Sequence, residues 1–269
     1  MLIVGEKING TRALVAKAIA ERDTAFIQDL AKKQVEGGVT WLDVNAGVSP
    51  DKENEALIWL VDTVQAVTDL PLCLDSANPG ALAAAIGHVK KTPLINSISG
   101  ETKKLAGILP LLSKNKCPAI AQALDDTGIP KDVDSRMVII RRLISEIRQA
   151  GVTDSDIYVD PLIMSLATNT QAGLIALDTI KLIRLEFPGV HIMPALSNVS
   201  FGLPARTIIN QAFLGLAVAV GMDGAILDPI DKGLRSAILA VEVVLGRDRF
   251  CLNYNRAFRA GRLAVAPKS

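Results

Sequence analysis

The sequence predicts an α/β protein, a single (β/α)8 TIM barrel spanning residues 1–269. Three observations carry that prediction. Eight short apolar runs alternate with eight helix patterns, with no composition break or low-complexity linker between them. The runs lack a clean apolar–polar alternation, which means burial on both faces, as in a parallel sheet. The length of 269 residues is close to the ~250 typical of a closed barrel. A dinucleotide-binding open sheet would want G-x-G-x-x-G after its first strand, and Gly5-Glu6-Lys7-Ile8-Asn9-Gly10 does not supply it. No phosphate-cradling P-loop pattern appears either.

The elements follow in order. Leu2 to Ile8 is a short strand ended by Asn9-Gly10, and a helix pattern from about Thr24 to Glu36 is closed by Gly37-Gly38, the residue type suited to a left-handed cap. Thr40 to Asn45 is the second strand, ended by Ala46-Gly47, and a helix runs from about Glu53 to Thr68. Leu70 to Leu74 is the third strand, ending at Asp75-Ser76; Asn78-Pro79 then starts a helix, with Asn as cap and Pro at the first helical position. Pro93 to Ile95 is the fourth, ending at Asn96-Ser97, before a helix from about Glu101 to Lys114. Ala119 to Leu124 is the fifth, ending at Asp125, and Asp134 is the expected cap of a helix continuing to Ala150. Ile157 to Val159 is the sixth, ending at Asp160-Pro161, with a helix from about Thr170 to Glu186. The seventh run, Val190 to Leu196, stops abruptly at polar residues around Asn198; Gly202-Leu203-Pro204 turns the chain into a long apolar helix, Ala205 to Val220. Gly224 to Leu227 is the eighth, ending at Asp228-Pro229, followed by a helix from about Lys232 to Leu245 and a short basic helix in the tail, Asn253 to Leu263.

Composition narrows the function classes. Hydrophobic residues are 49%, charged residues 21% and the formal net charge is +1, an ordinary globular balance with no basic excess for nucleic acid. Aromatic residues are only 4%, too few for a base-stacking platform. Cys73, Cys117 and Cys251 are far apart and form no C-x-x-C, which argues against a disulfide framework or a zinc site. Met1 to Asn9 carries Glu6 and Lys7 too early for a signal peptide, and the most apolar stretch, Thr207 to Leu227, is broken by Asn210, Gln211, Gly221 and Asp223. The expectation is a cytoplasmic protein with no membrane partner.

In a barrel all strand C-termini face one mouth, where ligands collect. That mouth would carry Glu6, Asn9, Asp43, Asn45, Asp75, Asn96, Gln122, Asp125, Asp160, Asn198, Ser200 and Asp228. His88 lies in a helix and His191 at the start of a strand, so both point away; no soft metal centre and no tightly bound metal are expected, with carboxylate-held magnesium the lesser alternative. Acids and amides with few bases suit a neutral heterocycle rich in N–H donors, because carboxylates accept and amides do both. The 2-amino-4-oxo edge of a pterin fits; so does a sugar. Each residue also has a structural reading. Asp75 and Asp160 suit turns or caps, Asn45 suits loop backbone, and Asp43, inside its strand, suits a core polar network. Lys103 and Lys104 suit a solvated helix face. Arg206 opens a helix, where the dipole disfavours a cation, and that conflict marks it for a ligand or partner.

Several stretches, in order, carry a family resemblance: Gly5-Glu6-Lys7-Ile8-Asn9, Leu42-Asp43-Val44-Asn45, Leu72-Cys73-Leu74-Asp75-Ser76, Ile95-Asn96-Ser97, Thr127-Gly128-Ile129-Pro130-Lys131-Asp132, Tyr158-Val159-Asp160-Pro161-Leu162 and Leu196-Ser197-Asn198-Val199-Ser200. Over nearly its whole length the chain resembles the methyltetrahydrofolate:corrinoid protein methyltransferases, relatives of the folate domain of cobalamin-dependent methionine synthase. The resemblance implies a pterin-binding barrel of one-carbon metabolism. It would move a methyl group between N5 of tetrahydrofolate and the cobalt of a corrinoid on a separate protein, in acetyl-CoA synthesis or in an O-demethylase system. It further implies that Asp75, Asn96 and Asp160 hold the pterin and that Asn198 hydrogen-bonds at N5. Ala195, Ser197 and Arg206 fall where family members also contact folate, although the family often has Gly at the Ala195 position. Dihydropteroate synthase, the rival pterin barrel, would want Asn-x-Thr-x-Asp-Ser-Phe after the first strand; here the loop reads Asn9-Gly10-Thr11-Arg12-Ala13-Leu14. A non-catalytic folate-binding barrel is the other alternative. The apolar helix Ala205 to Val220 and the Ala-rich stretch Ala81 to Ile86 lead to the expectation of a homodimer.

Overall fold

The computed structural model describes residues 1–264. Its elements are β1 (Leu2–Asn9), α1 (Ala13–Glu21), α2 (Thr24–Glu36), β2 (Trp41–Asn45), α3 (Pro50–Gln65), β3 (Leu72–Asp75), α4 (Pro79–Ile86), β4 (Leu94–Gly100), α5 (Thr102–Asn115), β5 (Ala119–Asp125), α6 (Val133–Gln149), β6 (Ile157–Asp160), α7 (Ala172–Glu186), β7 (His191–Ile192), α8 (Arg206–Ala219), β8 (Gly224–Leu227), α9 (Lys232–Val244) and α10 (Leu252–Arg259). All strand pairs are parallel, in the order β7-β6-β5-β4-β3-β2-β1-β8. Between β7 and β8 the ladder shrinks to one bridge, Ala195 to Ile226, with Ile226 N–H donating to Pro194 O at 2.9 Å. A barrel of eight parallel strands, nearly closed and wrapped by helices, is therefore the fold.

Side-chain alternation splits its core into two layers. Inward-facing Val4, Cys73, Leu94, Ile120, Tyr158, Met193 and Ile226 fill the barrel. Their sequence neighbours, such as Ile3, Leu42, Leu74, Ile95 and Val159, face outward and pack beneath the helices. Both faces of the strands are apolar for this reason.

Four local expectations are corrected. Helix α1 was not expected; its Arg12 start has no side-chain cap and it ends at Arg22 in the left-handed region (φ 54°) rather than at Gly, so only the spacing of buried Val15, Ala18 and Ile19 signals it. Helix α6 is capped by Asp132, which accepts from Ser135 N–H at 2.8 Å, and not by Asp134, which lies in its first turn. Helix α3 begins at Pro50, earlier than Glu53. The seventh strand is only His191–Ile192: Pro194 has no N–H for the ladder, and Leu196–Ser200 winds into a 3-10 turn. Among the described residues no helix is long and apolar enough to cross a membrane.

Candidate active site

One inward position beyond the apolar filling, nearly every strand turns polar. Val4 is followed two residues on by Glu6, Trp41 by Asp43, Cys73 by Asp75, Leu94 by Asn96, Ile120 by Gln122 and Tyr158 by Asp160; Met193 is followed by Ala195. The strand period of two places all of these on one ring at the mouth. They enclose a cavity of about 320 Å³ whose rim adds Ser197, Asn198, Asn9 at the end of β1, and Thr11 and Arg12 from the turn after it.

Within the ring the polar groups hold one another. Asn45 Nδ2 donates to Asp75 Oδ2 at 2.8 Å, and Asn96 Nδ2 donates to Asp43 Oδ1 at 3.3 Å. Asp43, Asn96 and Asp160 are buried, whereas Asn198 is exposed on its turn. Asp160 Oδ1 accepts from Leu162 N–H at 2.8 Å, and Leu162 sits in the left-handed region at φ 60°. Buried Arg136 donates to the carbonyl oxygens of Pro161 and Leu162, at 2.8 and 2.7 Å, so that strained bend is clamped from both sides.

Burial dominates the charges. It pushes the Asp75 and Asp160 carboxyls up, each to about 6; Asn45 pulls the first back, and the Leu162 N–H and Arg136 pull the second. Asp43 is driven well above the usual carboxylate range, by burial first and then by the charge of Asp75. Glu6 is also raised by burial, against the pull of Arg12, whose Nη2 lies 2.9 Å from Glu6 Oε1. The cavity thus presents two carboxyls titrating near 6, two more raised by burial, four amides and a cation already matched by Glu6.

Of the predicted site residues, Asp43, Asp75, Asn96, Asp160, Ala195, Ser197 and Asn198 line this cavity. Asn45 reaches it only through Asp75. Arg206 does not line it; its guanidinium donates to Ser197 O at 2.7 Å and Ser200 Oγ at 3.1 Å, tying down the turn that displays Asn198. Lys104 is half-buried and pairs with Glu101 at 2.7 Å, while Lys103 is solvated as expected. His191 faces away from the mouth, stacked on Tyr158 and bonded to Asp223 at 2.8 Å; His88 is on the periphery beside Asp62. Thr11, Arg12 and the supporting Arg136 were not picked out from the sequence. The polar Asn9-to-Arg12 loop at a strand end was the available signal for the first two. Nothing local distinguishes Arg136, because its partners are backbone carbonyls brought in by the fold. Among the described residues no group of three or more His, Cys, Asp or Glu is arranged to hold a metal.

The donor set suits a flat heterocycle with an N–H-rich edge: buried carboxylates accept, and the free sides of Asn96 and Gln122 serve either role. Comparison with known proteins agrees. Residues 6–228 match the model of the pterin binding enzymes. The chain is 41% identical over 265 residues, 98% of each chain, to a methylcorrinoid:tetrahydrofolate methyltransferase of Eubacterium limosum. It is 28% identical over 240 residues to a methionine synthase of Mycobacterium leprae, covering 84% of this chain and 20% of that one. Among solved structures, a dihydropteroate synthase of Coxiella burnetii in complex with pteroic acid superposes with a TM-score of 0.68 at 17% identity, covering 90% of this chain and 93% of that one, a likeness of fold. With the match running from the first mouth carboxylate to the last, the chain belongs to the pterin binding enzyme family.

Proposed function

We propose that the protein is an enzyme that moves a methyl group between N5 of tetrahydrofolate and the cobalt of a corrinoid carried on a separate protein. The observation that carries this over a dihydropteroate synthase reaction is full-length 41% identity to a methylcorrinoid:tetrahydrofolate methyltransferase, against fold-level likeness at 17% for the synthase. The cavity agrees, since its single rim cation, Arg12, is neutralised by Glu6 and offers little to a diphosphate. The relative's name writes methylcorrinoid first, and we take methyl transfer toward folate as the working direction.

Asp75, Asn96 and Asp160 bind the pterin edge, with Asn45 and Asp43 fixing the first two. The edge is the same before and after transfer, so these residues set affinity more than rate. Asn198 stands at N5. One proton leaves N5 as the methyl arrives and returns as it departs, because N5 cannot leave as a bare anion. An amide turns its oxygen toward N5–H and its NH2 toward the N5 lone pair, and so serves both states. The proton passes through water to or from Asp43 or Asp160, both raised by burial, the first joined to Asn96. Ser197 and Ala195 shape the wall below Asn198, and Arg206 holds its turn. The partner's corrinoid supplies the metal that accepts or donates the methyl, and the protein provides orientation and proton handling around it. The partner must approach over the mouth, where Asn198 is exposed.

The exposed apolar side chains of α8, Ile208 and Leu216, 69% and 57% exposed, support a second copy of the chain as their cover. The decisive experiment follows the absorbance of free cob(I)alamin with purified protein and methyltetrahydrofolate. Protein-dependent growth of the methylcobalamin spectrum is the expected result. Tight folate binding with no transfer to free or protein-bound corrinoid would overturn it in favour of a non-catalytic folate barrel.

A further inference from the structure

A second cavity, of about 420 Å³, lies on the outer wall of the barrel, where α9 and α10 face the turn between α2 and β2. Arg235, Arg256 and Arg262 line it over an apolar floor that includes Ile3, Ile238 and Leu239. On a chain of net charge +1 this is a local excess: from Arg249 to Arg262 there are four arginines and no acid. The arginines that do pair with acids, such as Arg141, Arg148 and Arg184, are elsewhere. Among the described residues, none of the three lining guanidiniums has a carboxylate partner within ion-pair distance. Asp248, whose carboxyl Arg256 helps to lower, accepts from the N–H groups of Asn253 and Tyr254 at 3.1 and 2.9 Å.

Arg235 lies in the opening turns of α9, whose capping Asp231 accepts from the Gly233 and Leu234 N–H groups at 2.7 and 3.1 Å and, among the described residues, forms no ion pair with it. Three like charges gathered around one apolar hollow repel one another, and a multiply charged anion relieves that repulsion. Guanidinium forks match both phosphate and carboxylate oxygens in pairs. The apolar floor, with Asn253 as the one amide in the lining, suits a ring or short chain.

We propose that this cavity binds a small organic anion with two or more negative charges on an apolar body, a phosphate ester or a polycarboxylate. The site is separate from the mouth and does not depend on the methyl-transfer reading. Calorimetric titration of the full chain with phenyl phosphate, isophthalate and inorganic phosphate tests it. Saturable binding of phenyl phosphate or isophthalate, tighter than inorganic phosphate, is expected, and the tighter of the two identifies the headgroup. Arg235→Gln and Arg256→Gln should each weaken that binding by about tenfold or more, the scale of one charge-assisted bond. Arg12→Gln, at the mouth, should leave it unchanged. Unaltered melting temperature and folate binding in the Arg235 and Arg256 variants show that the fold is intact. Absence of saturable binding by all three probes, binding indifferent to both outer substitutions, or binding lost only with Arg12→Gln would each overturn the proposal.

Discussion

Asp160 shows the conflict between ligand and fold in a single side chain. It is 2% exposed, and burial lifts its carboxyl to about 6. A raised folded-state value means that the native protein holds this proton more tightly than the unfolded chain does. The associated stability is present below about pH 4 and is lost as pH rises toward 6 and above. Asp75 behaves in the same way. Asp160→Asn keeps an oxygen for the Leu162 N–H, so we expect it to stabilise the empty protein at pH 8 by about 1–3 kcal/mol, read by urea unfolding. The same variant should bind folate about tenfold to a hundredfold more weakly, by loss of a charge-assisted bond. Folate affinity of the native protein should rise between about pH 5 and 7 as the two carboxyls ionise, and a flat titration profile would remove them from the ligand edge. At Asn198 the expectation is different in kind: Asn198→Ala should slow single-turnover transfer by about 10²–10³-fold, the effect of one lost transition-state bond, with folate binding little changed. A full rate in that assay would exclude the residue from the chemistry.

At the scale of elements, two junctions hold the mouth in shape. The β1–α1 turn and the β2–α3 turn touch backbone to backbone: a Cβ on Gly10 would lie 2.0 Å from Ala46 O. No side chain there is free to yield, so Gly10→Ala should destabilise the protein by about 3 kcal/mol or more, measurable as a shift in denaturant midpoint. The second junction is the 3-10 turn Leu196–Ser200, fastened by Arg206. Arg206→Ala should slow transfer by about tenfold, the worth of one positioning bond, with a smaller change in folate affinity. Equal losses in both would mean that Arg206 touches folate itself.

For the whole molecule, acidic and amide groups gather at the mouth while the arginine excess gathers on the outer wall around α10, so a chain of net charge +1 still presents two unlike surfaces. On the proposed function, a corrinoid protein meets the first. A second copy, on our reading, covers the exposed Ile208 and Leu216 of α8. Sedimentation at micromolar concentration should give twice the mass of 28.6 kDa, and Ile208→Asp with Leu216→Asp should halve it. A monomer mass for the native chain would refute the dimer.

The sequence alone determined the barrel, because short strands buried on both faces and long helices write their periods locally. It also determined the chemical character of the mouth: each strand ends its apolar run at an acid or amide, and the residues from Asp43 to Asn198 that line the cavity were legible in that way. Only the tertiary structure decided which of these groups touch. Asp43 finds Asn96 53 residues away, and Arg136 reaches Leu162 across 26. It alone decided that Arg206 serves the turn and not the cavity wall, and that burial raises the Asp43 carboxyl. Those outcomes depend on distance and burial between segments remote in the chain. Local pattern records the period and polarity of an element, and the surroundings that set a bond or a proton affinity exist only after the elements have packed.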